Sequence, residues 1–364
     1  MSKVTFGCGA SEELEVLLFL DQPGEAQFAS PIIREALNRP HIGLDVVLSR
    51  RLVRARPDFC RELTFLGVSW REAADPARAL RRDEALPGAV FPLVVSTHEA
   101  HSAAQGLVTT ARKLGIPSFC IQHGVDNIGI TTTTGPGSGS VYSIDADFVF
   151  VWFPADAVPD ICPDNVRSRL VHVGRPASFS AEPPSADNGV MMVGVFENLH
   201  WDVYDRAFRY EFQSLLRRAS AALPNVHFVV KSHPGGRWFL EHGERDWPAQ
   251  VRIFDPGLDT WRAYDMPAFM RGLSAVITTP STIALDAVML GKPVAVATAD
   301  HAPLFAELPQ LRDLEDWVDF IQSVQSRRFE LAGSRRFADR SMIAGDASPR
   351  IWDFIVESVT KSAA

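Results

Sequence analysis

Short runs of consecutive apolar residues alternate along this chain with longer stretches whose apolar positions recur at helical spacing. That alternation predicts a parallel α/β protein. Glu15–Leu20 reads as a buried first strand running into the turn Asp21-Gln-Pro-Gly24 and a helix near Ser30–Leu37. Gly43–Leu48 and Leu93–Ser96 read as the next strands, and Ala103–Leu114 as a helix stopped by Gly115 and Pro117. Ser118–Gln122 is a strand ending in His123-Gly124, and Ala146–Trp152 and Leu170–Val173 complete the first half. Between Gly174 and Asn188, Pro176, Pro183 and Pro184 lie among Ser, Ala and Glu, which is linker composition.

A second α/β series then begins at Val190–Phe196. It continues with a helix near Asp205–Ala222, strands at Val226–Lys231 and Ala275–Thr278, a helix from Ser281 to Leu290 and a strand at Pro293–Ala297. Helical patterns at Leu314–Ser326 and Ile351–Val359 finish the chain. The expected organisation is two Rossmann-like halves, 1–175 and 190–345, with a C-terminal helix within 346–364 that can pack back on the first half. Thr131–Ser140 reads as a Gly- and Ser-rich surface loop, and no internal repeat is visible.

Composition narrows the function classes. A length of 364 residues fits two domains, and 46% hydrophobic with 22% charged residues is ordinary for a folded chain. A net charge of -8 argues against a general nucleic-acid binder, which needs a basic surface. Cys8, Cys60, Cys120 and Cys162 are too scattered for a disulfide framework or a zinc site, so no metal is expected. There is no signal-peptide pattern at the start and no apolar run long enough to span a bilayer. The expected location is cytoplasmic, or peripheral at the inner face of a membrane.

Ligands of open parallel sheets bind beyond the carboxyl ends of the strands, and three segments carry chemistry at such positions. In Val229-Val-Lys-Ser-His-Pro-Gly-Gly236 a strand ends in His233, and Pro234 fixes the turn. Lys231 and His233 can donate to phosphate oxygens, or His233 can be a satisfied strand-end histidine. In Thr279-Pro-Ser-Thr-Ile283 a strand leads to a helix opened by Ser281 and Thr282, whose hydroxyls and adjoining amides suit a phosphate. Ser281 can equally be an N-cap. Asp286, one turn on, is placed to accept from ribose hydroxyls or to favour the helix dipole. In Ile116–Val125 a strand ends in Gln122-His123-Gly124.

A strand ending in His-Pro, followed by Ser/Thr-Ser/Thr, an acidic residue and Gly-Lys-Pro-Val, resembles the donor-binding half of GT-B glycosyltransferases. It is most similar to surface and capsular polysaccharide enzymes, sialyl- and Kdo-transferases, and the CDP-glycerol glycerophosphotransferases of teichoic acid synthesis. The resemblance implies a GT-B fold with two Rossmann-like domains facing a cleft. It also implies that His233, Pro234, Ser281 and Thr282 hold the nucleotide phosphate without a metal. The teichoic acid polymerases carry Trp-His-Gly where this chain has Gln122-His123-Gly124, which makes His123 the expected general base. His123 as a loop-shaping or donor-contacting residue is the other reading.

Val195-Phe-Glu-Asn-Leu-His-Trp-Asp202 is similar to an Asn-x-x-Trp-Asp segment of capsule enzymes, which brings Asn198 and His200 toward the donor and sets Asp202 to cap the next helix. Val171–Pro176 resembles the crossing between the two domains, with Arg175 at the cleft or in an ion pair. His98 and Glu99 follow a strand and are further cleft candidates, but Ser96–His101 lacks HExxH spacing. Neither GxGxxG nor GxxxxGK[ST] occurs at a strand-to-helix turn, which disfavours dinucleotide oxidoreductases and P-loop enzymes. The basic cluster Arg50, Arg51, Arg54 and Arg56 reads as a solvated helix face or a contact for an anionic surface.

The expected activity is therefore transfer of a sugar or sugar-like group from a nucleotide donor, cytidine-based by analogy, to a glycan hydroxyl in surface polysaccharide synthesis. No cofactor is expected beyond that donor, and the expected partners are donor, glycan acceptor and polysaccharide-assembly proteins. A non-hydrolysing nucleotide-sugar 2-epimerase is the alternative, although that family usually has Ser-Gly-Gly where this chain has Pro280-Ser281-Thr282. A non-catalytic assembly protein that kept the nucleotide cleft is a third reading.

Overall fold

β1 (Leu14–Leu20) is the centre from which the first half is built, and its last five residues are all buried. The computed structural model describes residues 14–80, 91–94, 103–122, 124–125, 145–158, 162, 164–176, 189–233, 236, 238–243, 246–254, 266–299 and 302–363. By internal packing the chain divides into two units, Met1–Ser178 with Met342–Ala364, and Phe179–Ser341.

The first unit continues through α1 (Ala26–Leu37), β2 (Ile42–Leu48), α2 (Arg50–Ala55), α3 (Pro57–Phe65), β3 (Trp70–Glu72), β4 (Phe91–Val94), α4 (Ala103–Leu114), β5 (Phe119–Ile121), β6 (Phe148–Val151), α5 (Asp164–Arg167) and β7 (Leu170–His172). Its described strands form a parallel sheet in the order β3-β2-β1-β4-β5-β6-β7. α4 spans the residues that its periodicity predicts, and Gly115, at φ 71°, ends it where an L side chain would be strained. α1 begins four residues earlier than expected, directly after a short 3-10 turn at Pro23–Glu25.

Two arginines of the basic cluster pair locally. Arg50 pairs with Glu72 at 2.8 Å, and Arg56 pairs with Asp58 at 2.8 Å while donating to the Pro23 carbonyl.

The second unit runs β8 (Met191–Glu197), α6 (Arg206–Ala222), β9 (Val226–Ser232), α7 (Trp238–His242), β10 (Val251–Phe254), α8 (Met266–Arg271), β11 (Ala275–Thr278), α9 (Ile283–Met289), β12 (Val294–Ala297), β13 (Gln310–Leu311), α10 (Leu314–Gln325) and α11 (Ala332–Ser341). Its parallel sheet has the order β10-β9-β8-β11-β12-β13. Asp205, and not Asp202 as expected, caps α6, accepting from the Phe208 amide at 2.7 Å. Asp202 lies four residues before the first helical turn, too far back to reach its orphan amides. Phe212, Leu216, Phe228, Val230, Trp317 and Ile321 are among the buried residues that close α6 and α10 over one face of the sheet.

The last helix, α12 (Ser348–Ala363), belongs to the first unit. Trp352 is fully buried and donates from Nε1 to the Ile32 carbonyl at 2.9 Å. Phe354 meets the rings of Phe148 and Phe150 edge-on.

Each sheet reverses its strand order beside its first strand, between β1 and β4 and between β8 and β11. Such a reversal opens a crevice at the carboxyl edge, because the chain departs to opposite sides of the sheet there.

Candidate functional site

In the second unit the crevice is framed by the exits of β8 and β11, and a buried polar bridge joins them. The Asn198 amide nitrogen donates to Thr279 Oγ1 at 3.1 Å, and Thr279 Oγ1 donates in turn to Asn198 Oδ1. Asn198 Nδ2 donates to the Pro280 carbonyl at 3.2 Å. Asn198 and Thr279 are both buried, so each lost partner would leave a desolvated group unsatisfied.

Beyond this bridge comes Ser281. Its hydroxyl lies 3.2 Å from that of Thr278 and accepts from the Ile283 amide, so it shapes the turn that opens α9. Helical structure starts at Ile283, two residues later than the sequence suggests. Asp286 lies one turn into α9 and is buried.

The neighbouring exit, that of β9, brings the histidines together. The His233 amide donates to the Glu197 carbonyl at 2.9 Å, continuing the ladder one residue past the strand. The imidazoles of His200 and His233 stack with ring centres 4.9 Å apart, and Trp201 lies within 6.0 Å of each ring. Gly236 makes the stack possible, since a Cβ there would overlap the His200 ring. Gly236 thus serves to seat a side chain. Burial first, and then the Arg209 guanidinium, hold the His200 imidazole below its ordinary value.

Lys231 sits on β9 with its ammonium over the Phe254 ring, 5.8 Å from the centre. Among the described residues no carboxylate pairs with it, and burial pulls its value down from 10.5 to about 8. Between these two values the unfolded chain holds a proton that the folded chain has released, so stability rises with pH across that window. Lys231→Met is expected to remove this rise and to melt above the wild type at pH 7. Thermal melts from pH 7 to 10 check it, and parallel pH profiles for the two proteins would contradict it.

Gln122 and Arg175, both expected near the cleft, are buried in the first unit. The Gln122 side chain is 1% exposed, donating to the Gly124 carbonyl and accepting from the Trp152 amide at 2.8 Å each. Its amide is spent on the backbone and Gly124 is buried with it. Arg175, 3% exposed, lies between Phe28 and Trp152, with its guanidinium carbon 5.1 and 4.9 Å from the ring centres. Cation–π packing holds it there. His123, Pro234, His98 and Glu99 lie outside the described residues.

Sequence reasoning passed over Glu197. This carboxylate ends the apolar run of β8, is 2% exposed, and accepts from the Leu199 amide at 2.7 Å. Burial raises its value, against lowering contributions from the Ser232 hydroxyl and the Leu199 and Phe239 amides. The one visible signal was an acidic residue continuing an apolar strand, where an unpaired charge is costly.

Among the described residues no group of three or more His, Cys, Asp or Glu side chains is arranged to hold a metal ion. Cys60, Cys120 and Cys162 are buried free thiols. No described helix is long and apolar enough to cross a membrane.

No model of a known protein family matches the chain, and no curated protein matches it by sequence. Solved structures do match along nearly its whole length. The UDP-GlcNAc 2-epimerase from Neisseria meningitidis bound to UDP-GlcNAc is similar with a TM-score of 0.63 at 13% identity, over 94% of this chain and 100% of that one. The Methanocaldococcus jannaschii UDP-GlcNAc 2-epimerase in complex with UDP-GlcNAc and UDP gives 0.62 at 12%, over 94% and 100%. The wall teichoic acid polymerase TagF gives 0.59 at 12%, over 97% and 90%. With these neighbours and this strand order, the fold is of the GT-B type, two Rossmann-like α/β units in one chain.

Proposed function

We propose that this chain is an enzyme acting on a nucleotide-activated sugar, with the nucleotide phosphates held at the carboxyl edge of the second unit's sheet. What supports the reading is the position of Asn198, His200, Lys231, His233, Ser281 and Thr282 at or just beyond the carboxyl ends of β8, β9 and β11, the strands at and beside the strand-order reversal. Amine, imidazole and hydroxyl groups there can donate to phosphate oxygens and stabilise charge that builds on the nucleotide when the sugar–phosphate bond is strained.

The reaction supported by the broader likeness is 2-epimerisation, in which the sugar is inverted at C2 and no acceptor is needed. Structures of UDP-GlcNAc 2-epimerases match over almost all of both chains. Transfer to a glycan hydroxyl is a second reading, and the Ser281 turn favours it. Where the epimerase family usually has Ser-Gly-Gly, this chain has Pro280-Ser281-Thr282, and the Ser281 hydroxyl already occupies the Ile283 amide that a glycine would leave bare. In the transfer reading His123 is the base. The donor base is then cytidine, as in the CDPG soaked into a TagF crystal, and in the epimerase reading it is uridine.

Product analysis separates these readings. The protein is incubated with UDP-GlcNAc and with CMP- and CDP-linked donors, each with and without a glycan acceptor, and the sugar is followed by NMR. A C2-inverted sugar still attached to its nucleotide, without acceptor, is the expected result. Nucleotide release that requires the acceptor would replace epimerisation with transfer. A chain that binds nucleotide and converts no donor in either arm is the assembly protein instead.

A further inference from the structure

His200 Nδ1, just beyond the carboxyl end of β8, is buried without a hydrogen-bond partner among the described residues. Glu197 and Ser232 are register partners in adjacent strands, and each is at most 2% exposed. A carboxylate buried so deeply is costly and persists where the structure depends on what it holds. What Glu197 holds is both strand exits. Its Oε2 accepts from the Leu199 amide, one residue before His200, and its carbonyl accepts from the amide of His233. These are the two residues whose rings stack.

We propose that Glu197 is the positioning residue of the His200–His233 pair, fixing the turn after β8 through its carboxylate and the exit of β9 through its carbonyl. Its value to the protein rests on the nucleotide-binding reading of that edge, whereas the positioning itself can be tested without any ligand. Asn198 ties the same turn to β11, so the carboxylate sets the orientation of a turn that is already anchored on its far side. Gly236, donating to the His233 carbonyl, closes the opposite wall of the stack.

The experiment compares wild type with Glu197→Gln, Glu197→Asp and Glu197→Ala in the full chain. The imidazole titrations of His200 and His233 are followed by NMR, with His200→Gln and His233→Gln serving for assignment. Arg209 on α6 and the His233 ring are the groups set against His200, and burial is the larger influence on it. In the aspartate and alanine variants the Leu199 amide loses its acceptor. The His200 titration is expected to rise toward the ordinary value of 6.5 as the ring leaves its buried seat.

Glutamine keeps an oxygen for the Leu199 amide and is expected to retain the wild-type titration. Nucleotide affinity, measured with UDP and CDP, is expected to fall about tenfold in the aspartate and alanine variants and to recover in glutamine, as for loss of one well-placed hydrogen-bonded group. If the alanine variant does not fold, the aspartate variant decides. An unchanged His200 titration in a folded aspartate or alanine variant overturns the positioning role. If the wild type binds no nucleotide, the functional reading fails, and the titrations still decide the positioning.

Discussion

Asn198→Ala is expected to cost about 2–4 kcal/mol of stability, because it removes the side chain that joins the exits of β8 and β11 and takes a partner from one buried and one part-buried group. The Pro280 carbonyl loses its donor and the Thr279 hydroxyl loses its acceptor. Denaturant unfolding followed by far-UV circular dichroism measures the loss, and a change below about 0.5 kcal/mol, the size of an ordinary surface substitution, would show that the bridge does not form. Thr279→Val tests the same link from the other side. Since the two residues share their hydrogen bonds, the double variant is expected to cost less than the two single variants added together. The substitution also reaches function, because the turns carrying Ser281 and His200 lose their common brace. Nucleotide affinity is expected to fall with stability under conditions where the variant remains folded.

Trp352→Ala is expected to be the most damaging single change in the first unit, at about 3–5 kcal/mol for removing a large, fully buried ring. Trp352 seats α12 against α1, and Arg39 reinforces the seat by donating to Asp353 at 2.7 Å and to the Pro349 carbonyl at 3.2 Å. The exposed ion pair adds little, so Asp353→Ala is expected to shift the unfolding midpoint only slightly. Denaturant unfolding of both variants ranks the two contributions. A Trp352→Ala protein as stable as the wild type would mean that α12 is not docked through this ring.

The strands and long helices were legible because burial imposes a pattern on consecutive residues. The run Val16–Leu20 is buried on both sides of its sheet, and α4 carries its apolar residues at helical spacing up to Gly115. Shorter elements escaped. β10 is a four-residue strand with one exposed arginine, and α11 buries only Ser334 and Phe337, too few to set up a readable period. At the site, a strand ending in His233 and a turn carrying Ser281 could be read locally, because strand ends and turn residues leave local marks.

Partnerships between distant residues could not be read in this way. Gln122 meets the Trp152 amide, Arg175 meets Phe28, and the Asn198 bridge depends on Thr279. No local spacing records that two such positions come together. Arg175 shows the difficulty best: a lone cation beside a domain crossing resembles a ligand contact until the rings on either side of it are seen.

Isothermal titration of the full-length protein with UDP and CDP, beside His233→Ala and Ser281→Ala, bears directly on the nucleotide seat between β9 and α9. Saturable binding of at least one of the two by the wild type, weakened tenfold or more by both substitutions, is the predicted result, each removing a phosphate donor worth about 1.4 kcal/mol or more. Wild-type protein that takes up neither nucleotide, or variants that bind as well as the wild type, would place the ligand elsewhere and contradict the assignment.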